Sequence, residues 1–206
     1  MHWKTAGLVV LLFALLPFAL AQKNEVSLSA GAVATSDQQA FACFINPTPC
    51  IGPFHISYST AFALAADYVR QVFNFRMASL GAEFPIVGVP RQDVTTTFNG
   101  FFVTTHQSSL FFTPSARIKF FPSGAISPFL SLGGGLAHHE AAGSRTRGTL
   151  QFGGGVDFKT PLPHLGIRAE VRDFWAGGLQ ESSAFTRVTP ERQHNIFVGA
   201  GLVVKF

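Results

Sequence analysis

The stretch His194-Asn195-Ile196-Phe197-Val198-Gly199-Ala200-Gly201-Leu202-Val203-Val204-Lys205-Phe206 decides the fold. Its even positions from Ile196 onward (Val198, Ala200, Leu202, Val204, Phe206) are all apolar. Its odd positions, Asn195, Phe197, Gly199, Gly201, Val203 and Lys205, are mixed and small. Successive side chains of a strand point to opposite faces. A long strand with one wholly apolar face and one small, mixed face has lipid on one side and a lumen on the other.

The same alternation recurs upstream. Around 25–34, Val26, Leu28, Ala30, Ala32 and Ala34 oppose Glu25, Ser27, Ser29 and Gly31. Around 55–68, Ile56, Tyr58, Phe62, Leu64, Ala66 and Tyr68 oppose His55, Ser57, Ser59, Ala61, Ala63 and Asp67. Comparable patterns cover 109–121, 126–137, 148–159 and 165–175. The segment 72–86 is less regular: Ser79 and Glu83 share one parity and Arg76 takes the other, so a bulge or an interfacial Arg76 is expected. These eight segments, about 10 to 14 residues each, match the roughly 9 to 11 residues of a tilted membrane-spanning strand. Soluble strands average nearer 5 or 6. The predicted fold class is all-β, an eight-stranded antiparallel up-and-down transmembrane β-barrel.

Composition agrees. Of 206 residues, 47% are hydrophobic and 13% charged, which excludes intrinsic disorder. Gly 20 and Pro 12 exclude a coiled coil. The net charge of +4 comes from scattered Lys and Arg, so no nucleic-acid partner is expected.

The N-terminus reads as a secretory signal peptide over residues 1–21. His2 and Lys4 precede the apolar run Leu8 to Leu16, and Ala19-Leu20-Ala21 supplies the small-x-small site before Gln22. Residues 22–206 then form the barrel domain. Expected long connections are 35–53, 87–107, 138–147 and 177–192. Short ones fall near 69–71, 122–124 and 160–164, the last two with turn residues such as Pro122-Ser123-Gly124. Short turns belong in the periplasm and long loops outside, so both termini are expected to be periplasmic. An eight-stranded bore is just wide enough for side chains to fill. The mid-strand clusters Gly133-Gly134-Gly135 and Gly153-Gly154-Gly155 would relieve crowding there.

The terminal strand, the glycine-rich strands and Arg168-Ala169-Glu170-Val171-Arg172 resemble the small eight-stranded outer-membrane barrels, the OmpA transmembrane-domain and OmpX-like group. The resemblance implies residence in the outer membrane of a Gram-negative-type bacterium, as a monomer in contact with outer-membrane lipid. It also implies handling by periplasmic chaperones and the barrel-assembly machinery. The alternation through Val198, Ala200, Leu202, Val204 and Phe206 looks like the insertion signal that this machinery reads.

Three residue sets could carry chemistry. Cys43 and Cys50, the only cysteines, read as a disulfide in an exported protein. His138-His139-Glu140 sits at the end of a strand, where adjacent histidines point to opposite faces and joint metal ligation is awkward. The lumen-facing charges are Glu25, Asp67, Glu83, Asp157 and Glu170 against Arg117, Lys119, Lys159, Arg168, Arg172 and Lys205. Buried charges persist only when paired, so a cross-strand ion-pair network is expected to fill the lumen. Asp173 falls on the lipid parity and belongs near the outer rim. No catalytic residue, metal site or cofactor is expected. The leading function is a structural or surface-interaction barrel, with an extracellular ligand taken by the loops. The alternatives are a narrow channel for ions or small solutes, a lipid A-modifying enzyme, and a soluble lipocalin-like barrel, which would need the opposite polarity inside and out.

Overall fold

Alternation of apolar and polar residues places one face of each strand in a common interior, and pairing closes the sheet on itself. The computed structural model describes residues 24–44, 50–141, 143–176, 181–182, 186–188 and 193–206. The strands are β1 (Asn24–Thr35), β2 (Gln38–Phe44), β3 (Cys50–Tyr58), β4 (Ala61–Asn74), β5 (Ala78–Phe98), β6 (Phe101–Phe112), β7 (Ser115–Phe120), β8 (Ile126–Glu140), β9 (Ser144–Lys159), β10 (Leu165–Ala176), β11 (Glu181–Ser182), β12 (Thr186–Val188) and β13 (Gln193–Lys205).

Eight antiparallel walls make the ring. β1 pairs with β13 and β4, and β4 with β5. β5 pairs with β6 and β7, which are one wall interrupted at Thr113-Pro114. β8, β9 and β10 follow, and β10 closes on β13. Asn24 and Phe206 exchange backbone hydrogen bonds at 2.7 and 2.9 Å, which seals the seam between the ends of the barrel domain. The outer wall is apolar, with Leu28 65% exposed and Phe62, Leu132 and Val198 similarly bare. Apolar area on this scale is a lipid-facing surface. Asp173, on that outer face, bonds His194 Nδ1 at 2.7 Å, with Trp175 stacked beside the imidazole.

The structure corrects several sequence boundaries. Residues 55–68 are not one strand. The chain enters the barrel only at Ala61; Tyr58 ends β3 and its hydroxyl donates to Gln38, while Phe62 points outward. The short connection expected at 69–71 lies at 75–77, because β4 continues to Asn74 through a register shift between Gln71 and Phe73. Arg76 is therefore a turn residue, and this explains the broken parity of 72–86. Segment 87–107 is not a loop but the paired upper halves of β5 and β6, reversed at Asn99-Gly100. Backbone pairing there is satisfied by an extended hairpin rather than by irregular chain. The connection expected at 138–147 shrinks to 141–143. Segment 35–53 contains β2 and the start of β3. Residues 1–21, and most of 177–192, lie outside the described residues.

Candidate functional site

The lumen is built in layers, each set by the cross-strand register. Nearest the barrel termini lies a charged layer. Arg168 donates from Nε to Asp157 Oδ1 at 2.7 Å and from Nη2 to Oδ2 at 3.2 Å. A two-point guanidinium–carboxylate pair of this kind is the strong form of the interaction. Arg168 also reaches Asp67 at 3.4 Å and Glu25 at 3.5 Å. Lys119 contacts Glu25, and it meets Asp157 at 2.7 Å. Arg172 holds Glu170, Glu83 and Asp67 at 2.7, 2.9 and 3.1 Å. Arg117 meets Glu83 at 3.3 Å, and its guanidinium lies 3.5 Å over the Phe129 ring.

All nine of these charged side chains are buried. Lys159 and Lys205 do not join them. Lys159 is exposed at the end of β9, Lys205 is half-buried at the end of β13, and neither has an ion pair among the described residues. Lys159 lies two residues beyond Asp157 toward the short turn, and Lys205, although the register partner of Glu25, loses that carboxylate to Lys119. The buried set therefore holds five carboxylates against four cations, rather than the near-balance expected when Lys159 and Lys205 are counted.

Toward the opposite end lies an apolar layer that the sequence reading overlooked. Phe111 and Phe174 stack across the bore with centroids 4.5 Å apart. Phe197, Val33, Val87 and Val89 complete one buried cluster with alanines of β4 and β8. Parity carried the signal: Phe174 shares the face of Arg172, and Phe197 that of Asn195. Phe111 was masked by its apolar outward neighbours Leu110 and Phe112.

A polar rim crowns this layer. Gln92 donates to Thr35 Oγ1 at 3.0 Å and to the Ser59 carbonyl at 2.8 Å. Ser109 Oγ and His139 Nδ1 hydrogen-bond at 2.8 Å, with Gln107 also on Nδ1 at 3.1 Å. His139 faces inward, while His138 faces outward onto Thr146 at 2.8 Å. The two histidines thus lie on opposite faces of β8, and among the described residues no cluster of three or more metal-ligating side chains forms.

Two glycines make room for this filling. A Cβ on Gly153 would lie 2.9 Å from Arg172 Cγ, and one on Gly155 would lie 2.6 Å from the Phe129 ring. Above the rim, β2, β3 and the upper halves of β5 and β6 form a sheet outside the barrel, with Phe54 stacked on Phe98 at 4.6 Å. Cys43 and Cys50 are register partners across β2 and β3, and their side chains lie outside the described residues. On the terminal strand, Val198, Leu202, Val204 and Phe206 are exposed on the outer wall, and Ala200 shares their parity.

No family model and no curated protein matches the chain. Solved structures do. OprG, an outer membrane protein from Pseudomonas aeruginosa, is 13% identical with a TM-score of 0.61, over 90% of this chain and 96% of that one. The outer membrane protease OmpT from Escherichia coli is 9% identical with a TM-score of 0.50, over 92% and 99%. Closed ring, apolar outer wall and filled lumen, together with the likeness to OprG, give the chain the fold of the eight-stranded outer-membrane β-barrels.

Proposed function

We propose that this chain is exported, sits in the outer membrane with both termini periplasmic, and works as a closed barrel presenting its outer sheet to partners. Its lipid contacts are made by the apolar outer wall, and its assembly uses the terminal strand ending at Phe206. The observation that supports the closed reading is the double occlusion of the bore. Arg168 and Arg172 span it with their carboxylates, and Phe111 stacks on Phe174 above them. Ions crossing would have to displace both a paired charge layer and a packed apolar one. Breaking a buried ion pair costs several kcal/mol.

Planar-bilayer recording tests this. The purified protein is expected to pass at most small, intermittent currents. Large, steady currents would overturn the closed reading and put a narrow ion or solute channel in its place.

A further inference from the structure

Among the described residues, the sheet outside the barrel ends in a strand edge that no other strand covers. β6 pairs with β8 only from Ser108 to Phe112. From Phe101 to Gln107 it has β5 on one edge and, among the described residues, no strand on the other. Phe101, Phe102 and Val103 are 79, 73 and 63% exposed. Natural edges are blunted by proline, lysine, bulges or a covering loop. The segment Phe101-Phe102-Val103-Thr104-Thr105-His106-Gln107 contains neither proline nor lysine, and its register with β5 is unbroken from Phe101 to Gln107.

The turn determines which backbone groups are open. Asn99 and Gly100 have φ of 48° and 82°, the paired positive values of a two-residue hairpin turn. In such a hairpin the closing pair, here Phe98 and Phe101, exchanges both main-chain hydrogen bonds, and bonded pairs recur at every second residue. Thr96–Val103 and Val94–Thr105 are therefore bonded pairs in the observed register. The N–H and C=O groups of Phe102, Thr104 and His106 consequently point away from β5, toward the open edge.

We propose that this edge pairs antiparallel with the same edge of a second copy of this chain, held in a facing membrane. The proposal rests on the reading of the chain as a surface-presenting outer-membrane barrel, and it adds a contact between barrels of two membranes to the expected monomer. The edge is self-complementary. A two-fold axis through Thr104 places Thr104 opposite Thr104 and Phe102 opposite His106, so every open group meets an open group. Threonine pairs and aromatic pairs are favourable across strands, and no like charges are opposed. The nearby charges are already engaged within one copy: Asp93 Oδ1 lies 2.7 Å from His106 Nδ1 and 3.7 Å from Arg91 Nε.

Direction selects the facing membrane. β6 runs down toward its own barrel, so an antiparallel partner must run down toward a barrel on the other side. Two barrels side by side in one membrane would bring these edges together in parallel. The paired hairpin from Gln92 to Phe98 extends roughly 20 Å at about 3.3 Å per residue, enough to hold the edge clear of the rim.

The test uses the full chain in phosphatidylethanolamine–phosphatidylglycerol vesicles, with clustering read by light scattering and by energy transfer between two labelled vesicle populations. Wild-type vesicles are expected to cluster. Thr104→Pro removes the central open N–H without removing a bond to β5, and is expected to abolish clustering while heat-modifiable gel migration stays native. Thr104→Val keeps that N–H, loses only the hydroxyl contact to Thr95, and is expected to cluster. Thr104→Lys opposes like charges and is expected to disperse the vesicles, which keeps the test intact should the proline variant not fold. Dispersed wild-type vesicles, or clustering by both the folded proline and lysine variants, would overturn the proposal. A barrel that stays closed to ions but leaves vesicles dispersed overturns this inference alone, whereas steady currents overturn the closed reading whatever the vesicles do.

Discussion

Arg168 and Asp157 are register partners on adjacent walls and also a two-point ion pair, at 2.7 and 3.2 Å. The main-chain ladder thus aims the charges before any side chain moves. Arg168→Met should leave Asp157 with Lys119 and the more distant Arg117, strip it of its two-point partner, and destabilise the barrel by about 3–5 kcal/mol, the range for removing one partner of a buried pair. Urea unfolding in vesicles measures this; a loss well under 1 kcal/mol would contradict the buried network.

The unequal count of buried lumen charges gives a directional contrast. Asp67→Asn removes one of the five carboxylates and leaves the remaining charges balanced, so it should cost little. Arg172→Met leaves Glu170 without its cation and leaves Glu83 to Arg117 and Asp67 to Arg168 alone, so it should cost more than any single carboxylate-to-amide change. Equal unfolding midpoints for the two variants would contradict this.

Glycine at 155 is a packing requirement. A Cβ there would lie 2.3 Å from the Ala169 carbonyl oxygen, which is backbone and cannot swing aside. Gly155→Ala should therefore destabilise by about 1–3 kcal/mol, as overpacking does. Gly148 offers a control, because a Cβ there meets nothing within 4 Å. Gly148→Ala should unfold as wild type does.

Conductance should respond to the layers together. Replacing Arg168, Glu170 and Arg172 with Ala removes three of the nine charges of the charged layer, both spanning arginines among them, but leaves Phe111 stacked on Phe174. Adding Phe111→Ala and Phe174→Ala should raise single-channel current beyond the triple variant. No difference between the two would mean that the aromatic layer does not restrict the bore.

Cys43 and Cys50 are expected to be joined in protein isolated from cells. Alkylation followed by mass spectrometry should find no free thiol. Reduction should lower stability only modestly, since the loop between them is short. Recovery of both thiols alkylated would refute the pairing.

The sequence by itself determined the class of fold. Alternation at period two survives in any register, so 194–206 and 165–175 already separate a lipid face from a lumen face. It also placed Arg117, Arg168 and Arg172 on the inner parity, because a charge cannot face hydrocarbon. Where strands end was less legible. Residues 87–107 read as a loop because, once strands rise out of the membrane, neither face must be apolar and the alternation stops carrying information. The split at Ser59 was hidden because Tyr58 and Phe62 share a parity in the chain but not a face in space.

Only the tertiary structure decided which charges belong to one network. Inner parity puts Lys159 and Lys205 on the same face as Arg168, but both lie at strand ends, and the stagger between strands gives Glu25, the register partner of Lys205, to Lys119 from across the bore. The stagger also brings Phe111, on β6, against Phe174, on β10, across the barrel. Neither contact follows from the local pattern, because residues 63 positions apart meet only once every intervening wall has found its register.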